Sequence, residues 1–396
     1  MKITIKQFIL FGLFIVITFQ TKSQTPIQLS NNQFTFTEGP VWDGIEHIYF
    51  TDIPKQEVIK YNINTKVFSL AYENSERANG LMFDINEKLI VCEGGTGKIT
   101  QRELDGTLIE TLASTFNGVR FNGPNDLCID EKGGIYFTDP SFEGTTQPST
   151  GIYYVNTSGE VLQQDTFGST NPNGIIISPN GKTLYVNNTS NKNIYKYDIN
   201  ETTGALSNRT LYGEVPDALP ISEADGMAID TNGNLYVTAK AKIHVFNGNQ
   251  LAPINTISFP EKVTNCTFGG PEQDILYVTA SNNIYQVSLT GVTGIRHPFD
   301  LSNPLNTSNF KNTFKDNTIY PLPVVNNTIH ITNIKKLDAK SVKLFNLNGK
   351  VIPLTNITNK HDTLEILLSN KIANGIYLLH LKKDNELLIR KVILQR

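Results

Sequence analysis

Cysteine, methionine and tryptophan are scarce: 396 residues carry three Cys, three Met and one Trp. Cys92, Cys128 and Cys266 each lie inside an apolar, strand-like run. Three thiols cannot all pair, and no CxxC or Cys/His spacing joins them, which excludes a disulfide framework and a structural zinc site and leaves buried thiols. Charge is also thin, with 18% Asp, Glu, Lys and Arg against about a quarter in an average globular chain. The net charge of -3 gives no reason to expect a nucleic-acid partner. There is no GxSxG elbow for a serine hydrolase, and no helical periodicity over residues 25–300. The apolar run Phe8–Phe19 is too short for stable membrane insertion. With Lys2 and Lys6 before it and Thr21 and Ser23 after it, it reads as a signal peptide over residues 1–23. No Cys stands near the cleavage site to take a lipid anchor.

What is abundant is a repeat. A short strand recurs as IYFTD (48–52), LIVCE (89–93), IYFTD (135–139), LYVNN (184–188), LYVTA (235–239) and LYVTA (276–280). The second residues, Tyr49, Ile90, Tyr136, Tyr185, Tyr236 and Tyr277, are 41, 46, 49, 51 and 41 apart, close to the length of a four-stranded propeller blade. Each copy follows another apolar run (GPVW, GLMF, DLCI, GIII, GMAI, CTFG) across turn residues, as a β-hairpin does. The expected fold is all-β, a six-bladed β-propeller over residues 24–300, since closing the ring protects the sheet edges.

At the start of each first strand stands a polar residue: Glu38, Asn79, Asn125, Asn173, Asp225 and Asn265. Each lies 11 or 12 residues before its marker, so the six occupy equal positions and, on innermost strands, point into one end of the central channel. Asn, Asp and Gly favour turns for backbone reasons alone, but oxygen donors in all six repeats exceed what turns require. Two carboxylates and four carboxamides are costly to bury unpaired. A Ca²⁺ ion, which takes 6–8 oxygen ligands, resolves that cost, and the lack of His and Cys argues against zinc.

The stretches TEGPVW, RANGLMFD, FNGPNDLCIDEKGGIYFTDPSF, NPNGIIISPNGKTLYV, ADGMAIDTNGNLYV and TNCTFGGPEQDILYVTA occur in order over residues 34–290. Together they resemble the senescence marker protein/gluconolactonase/luciferin-regenerating enzyme-like family. The resemblance implies a six-bladed propeller with one divalent ion, most often Ca²⁺, with Mg²⁺, Mn²⁺ or Zn²⁺ as alternatives. It implies Glu38, Asn125, Asn173 and Asp225 as metal ligands, with Asn79 and Asn265 beside them near the substrate. The implied reaction is metal-dependent opening of a sugar lactone, with Asp225 as general base or as nucleophile and Glu38 serving charge balance. Two readings stand beside it: a calcium-pinned, non-catalytic propeller that binds a sugar or a protein, and an organophosphate or phosphoester hydrolase at the same site.

Other residues carry weaker expectations. Arg120, just before FNGPND, is a candidate contact for the substrate, and Thr138 and Asp139 are candidates to reach the channel from the second strand. Trp42 reads as core, the loop 143–150 as a border of the mouth, and His297 as a residue able to reach it. None of the six His lies in a ring motif.

From about residue 301 the pattern changes. Residues 301–317 are polar and read as a linker. Residues 318–396 alternate apolar and polar as in a small β-sandwich, and hold 12 Lys or Arg against 5 Asp or Glu. YPLPV (320–324), VKLFNLNGKVI (342–352), ANGIYLLHL (373–381) and the basic end RKVILQR resemble the C-terminal sorting domain of type IX secretion, with Leu322 where that family has Asn. The resemblance implies recognition by that secretion machinery and a product that is secreted or held at the cell surface.

Overall fold

The computed structural model describes residues 24–216 and 223–296 and, of the C-terminal part, 319–320, 324–332, 341–346, 351–360, 362–383 and 386–395. The signal peptide, the linker, His297 and Leu322 lie outside the described residues. The chain divides into two compact units, Met1–Leu305 and Asn306–Arg396. Among the described residues every regular element is a strand.

The first unit contains six four-stranded antiparallel sheets. Their innermost strands are Thr37–Trp42, Ala78–Phe83, Leu127–Ile129, Pro172–Ile177, Ala224–Ile229 and Asn265–Gly269, the six runs expected from the repeats. Each inner strand packs against the next, and the sixth packs against the first, so the ring is closed. The sixth sheet takes its outermost strand from the other end of the unit, where Ile27 and Gln28 pair with Gln286 and Tyr285.

Six hydrophobic clusters fill the six gaps between neighbouring sheets. The last gap joins the sixth sheet to the first through Trp42, Ile48, Phe50, Tyr61, Tyr277 and Ile284. Both faces of every sheet are therefore covered, and the inner strands read as continuous apolar runs rather than alternating ones. The marker tyrosines lie in these gaps: the Tyr49 ring meets Phe83 at 5.5 Å and Tyr236 meets Phe268 at 5.1 Å, both edge to face. Each such burial contributes about 1.5–3 kcal/mol. Trp42 is core, as expected.

Carboxylates set the hairpin turns between the first and second strands. Asp43, Asp84, Asp130 and Asp230 each accept backbone N–H groups two and four residues ahead, as in Asp130 with Lys132 N and Gly134 N at 2.9 and 2.8 Å. This is why DEKGG and DTNGN turn where they do.

The second unit contains two further four-stranded sheets. They share one cluster that includes Val324, Ile329, Ile331, Leu344, Leu364, Ile366, Leu379 and Val392.

Candidate metal centre and channel mouth

Antiparallel pairing places the start of each inner strand beside the end of the second strand, as Thr37 pairs with Asp52. The ring residues, the loops entering the inner strands and the loops leaving the second strands therefore share one end of the channel. Glu38, Asn125, Asn173, Asp225 and Asn265 are buried there, and Asn79 is half-buried.

The backbone of this ring is tied at every junction by its neighbours. Thr51 Oγ1 donates to Asn79 O at 3.2 Å, Gly80 N to Asn125 O at 2.8 Å, and Thr138 Oγ1 to Asn173 O at 2.8 Å. Asn187 Nδ2 donates to Asp225 O, Thr238 Oγ1 to Thr264 O at 2.7 Å, and Thr264 Oγ1 to Thr37 O at 2.7 Å. A rigid frame of this kind holds donor side chains in place without a cost at the moment of binding. Thr138 acts from behind the ring, which corrects the expectation that it reaches into the channel. Asp139 does likewise: it accepts from Asn122 N and Gly123 N at 3.0 and 2.8 Å, organising the turn before Asn125. Burial pushes its carboxyl up to about 6.

In four repeats the ring residue is followed by Gly, and the inner strand is irregular at that step. Gly39 adopts φ +51°, and a Cβ on it would lie 2.0 Å from Asn79 O. A Cβ on Gly226 would lie 1.9 Å from the Asn265 carboxamide. The third repeat has Asp126 at this position, and the sixth has Cys266.

Asp126, one residue past the ring position of the third repeat, is the acid that sequence reasoning missed. Its Oδ1 accepts Leu127 N at 2.9 Å, and it faces a cavity of about 50 Å³ under the ring together with Asn265, Met227 and Phe268. Burial, with a smaller push from Asp225, raises its pKa to about 7. Burial also raises Glu38, with further repulsion from Asp225 and Asp126, and raises Asp225 to about 6. Three carboxyl groups thus crowd one place: Asp225 and Asp126 push Glu38 up, Asp225 pushes Asp126 up, Glu38 eases Asp225 through a hydrogen bond, and the Asn265 carboxamide eases both Glu38 and Asp126. Asn173 Nδ2 donates to Asp225 Oδ1 at 2.8 Å and to Thr189 Oγ1 at 3.0 Å. Among the described residues the Asn125 carboxamide has no hydrogen-bond partner.

No group of three or more His, Cys, Asp and Glu side chains is placed to hold a metal among the described residues. A metal here must draw on carboxamides, and the donors at hand suit that: carboxyl and carboxamide oxygens, without His or Cys, gathered at one end of the channel. The far end of the channel is covered by the segment after the last sheet, where Gly294 bridges Asp230 and Ile295 N donates to Ile229 O at 3.1 Å. The cavity beneath the ring has room for ordered water but is far below the 300 Å³ and more of a ligand pocket.

Arg120 has a different task from the expected substrate contact. Its five N–H donors go to backbone carbonyls: Nε to Thr96, Nη1 to Phe121 and Asn122, and Nη2 to Gly94 and Gly95, at 2.7–3.2 Å. It locks two mouth loops together and has no donor left for a ligand. The 143–150 loop is anchored at the same place, since Asn122 Oδ1 accepts Thr146 N and Gln147 N at 2.8 Å. Glu143 in that loop clamps Arg77 through two bonds of 2.8 Å.

Two family models match the chain. Residues 36–282 match the SMP-30/Gluconolactonase/LRE-like region, and residues 318–395 match the secretion system C-terminal sorting domain. A gluconolactonase from Zymomonas mobilis is 29% identical over 292 residues, covering 66% of this chain and 81% of its own. A pentonolactonase from Haloferax volcanii is 28% identical over 254 residues, covering 62% and 81%. The solved structure of a gluconolactonase from Xanthomonas campestris superposes with a TM-score of 0.60 at 27% identity, covering 67% of this chain and 89% of its own. With the family model spanning well over half of its length, the chain belongs to the SMP-30/Gluconolactonase/LRE-like family.

Proposed function

We propose that this protein is a lactone hydrolase that opens sugar lactones at a divalent ion, Ca²⁺ first among the candidates, held by Glu38, Asn125, Asn173 and Asp225. The observation that carries the reading is the meeting of buried Glu38 and Asp225 and half-buried Asp126 with the carboxamides of Asn125, Asn173 and Asn265. Three carboxyl groups crowded together are costly to ionise without a cation, and a bound divalent ion offsets that cost. Lactonase relatives over most of the first unit support the substrate class.

When bound, a divalent ion polarises the lactone carbonyl and offsets the charge of the developing oxyanion. The residues of the chain do the rest. Asn173 fixes Asp225 by donating to Oδ1, and the ionised Asp225 carboxylate takes a proton from the attacking water. Glu38 balances charge, and Asn79 and Asn265 border the substrate. The covered far end of the channel leaves the mouth as the way in. The C-terminal unit, matched to a secretion sorting domain, supports export by type IX secretion to the cell surface or beyond.

The test is hydrolysis of glucono-1,5-lactone, followed with a pH-indicator dye, on chelator-treated protein given back Ca²⁺, Mg²⁺, Mn²⁺ or Zn²⁺ one at a time. Activity lost on chelation and restored by one ion is the expected result, with a rise in melting temperature on adding the same ion. Full activity in chelator, or none with any ion, defeats the reading.

A further inference from the structure

The segment that leaves the second strand of the third sheet crosses the entries of three ring strands. Ser141 N and Oγ both donate to Asn171 Oδ1 at 3.0 Å, and Asn171 stands two residues before Asn173. The Glu143 side chain lies against Gly123, two residues before Asn125: a Cβ on that glycine would lie 2.7 Å from Glu143 Cβ. Glu143 then accepts Nε and Nη2 of Arg77, two residues before Asn79, both at 2.8 Å. The same offset in three consecutive sheets fixes this segment at the rim of the channel mouth.

At its far end the crossing holds a strained turn. Asn74, Glu76 and Arg77 adopt φ of 58°, 57° and 55°. Asn tolerates that region, but Glu and Arg disfavour it, so the turn persists because its surroundings hold it. Gly95 N donates to Glu76 O at 3.0 Å, and Glu143 clasps Arg77. A Cβ on Gly94 would meet Glu143 Cγ at 3.2 Å, and one on Gly95 would meet Arg77 Cβ and Cδ at 3.3 Å. Neither of these nor Gly123 has a left-handed φ, so room for the clasp and its turn accounts for glycine there. Directly after the turn comes Asn79, the one ring residue that is half-buried. Its carboxamide has no hydrogen-bond partner among the described residues.

We propose that Arg77 and Glu143 are positioning residues, whose clasp fixes the turn that presents the Asn79 carboxamide to the lactone. This rests on the lactonase reading, in which Asn79 borders the substrate. Neither side chain of the clasp touches the substrate; both act through Asn79. A carboxamide with a free acceptor and two free donors suits the hydroxyls of an uncharged sugar lactone. Held in place beforehand, it binds without first ordering the turn. Such a contact serves substrate and transition state alike, so it is felt in KM and not in kcat.

Steady-state hydrolysis of glucono-1,5-lactone by the full chain, loaded with the ion that restores activity, tests this. The variants are Arg77→Gln, Glu143→Gln, Asn79→Ala and Arg77→Gln combined with Asn79→Ala. KM should rise about 5–10-fold in Arg77→Gln and in Glu143→Gln, the size of one net hydrogen bond, with kcat within about twofold of wild type. In the Asn79→Ala background, Arg77→Gln should raise KM by less than about twofold, because the group that the clasp positions is gone. Calorimetric affinity for the ion should stay at the wild-type value in both clasp variants. A wild-type KM in Arg77→Gln and Glu143→Gln overturns the inference and leaves lactone hydrolysis standing. So does a KM rise that is the same with and without the Asn79 side chain, or a parallel loss of ion affinity, since either marks general loosening of the mouth. Wild type that is inactive with every ion removes the lactonase reading and this inference together.

Discussion

The third sheet and the other five of the ring solve one packing problem differently. In four repeats the residue after the ring donor is Gly, and the bare backbone lets the next inner strand come close: Gly39 against Asn79, Gly80 against Asn125, Gly174 against Asp225 and Gly226 against Asn265. The sixth repeat has the small Cys266. The third repeat has Asp126, and its inner strand is shortened to Leu127–Ile129. Where the others invest in closeness, the third adds a carboxyl group under the ring, with a pKa pushed by burial to about 7. Ring positions therefore set the frame and the donor set, while the position behind them sets either spacing or charge. Each variant below separates those two contributions.

The largest effect is expected at the ring itself. Asp225→Asn keeps the size of the side chain and can keep the bond from Asn173, since an amide oxygen accepts as a carboxylate does. It removes the proton acceptor, so lactone turnover should fall about 10²–10⁴-fold with the far-ultraviolet dichroism unchanged. Turnover at the wild-type rate would remove Asp225 from the chemistry. A single turnover in ¹⁸O-labelled water then separates its two possible roles: label in the product marks a general base, and label in the Asp225 carboxylate marks a nucleophile.

Next comes the spacing. Gly226→Ala places a methyl 1.9 Å from the Asn265 carboxamide, which must move or push the inner strand away. Overpacking of this kind costs about 1–3 kcal/mol. Because Asn265 is a ring donor, the loss in thermal stability should be accompanied by weaker binding of the restoring metal ion. A melting temperature equal to wild type would show that the close approach of the fifth and sixth inner strands is not needed.

Much of this was legible in the sequence because propeller repeats obey one register. Tyr49, Tyr136, Tyr185, Tyr236 and Tyr277 repeat because each fills the equivalent place in its own gap between sheets, and equal offsets from them located the six ring positions. What escaped depends on contacts between segments far apart in the chain. Arg120 looked available because nothing in FNGPND reveals the carbonyls of Gly94, Gly95 and Thr96 waiting 24–26 residues away. The outer strand Ile27–Gln28 is too short to show any periodicity. Asp126 was in view all along: it is the one acid at a position otherwise filled by Gly or Cys, and comparing repeats one residue past the ring would have singled it out.

The smallest effect concerns the charge behind the ring, and it depends on pH. Asp126 titrates near 3.9 in an unfolded chain and at about 7 in the folded, metal-free protein, because burial disfavours its charged form. A folded pKa above the unfolded one contributes stability that is complete below about pH 4 and is lost as pH rises through about 7. Chelator-treated protein should therefore lose stability between pH 4 and 7.5, with the raised Asp225 adding in the same direction up to about 6. Asp126→Asn removes one of these contributions. Asp126 is only partly shielded from solvent, which reduces its share to the order of 1–2 kcal/mol. Denaturant unfolding in chelator should show Asp126→Asn gaining about that much over wild type at pH 7.5 and almost nothing at pH 4. Saturating Ca²⁺ should shrink the gain at pH 7.5, since a bound cation offsets the same charge. An equal difference between variant and wild type at both pH values would mean that Asp126 contributes packing rather than charge, and that the third repeat departs from Gly for a reason of shape alone.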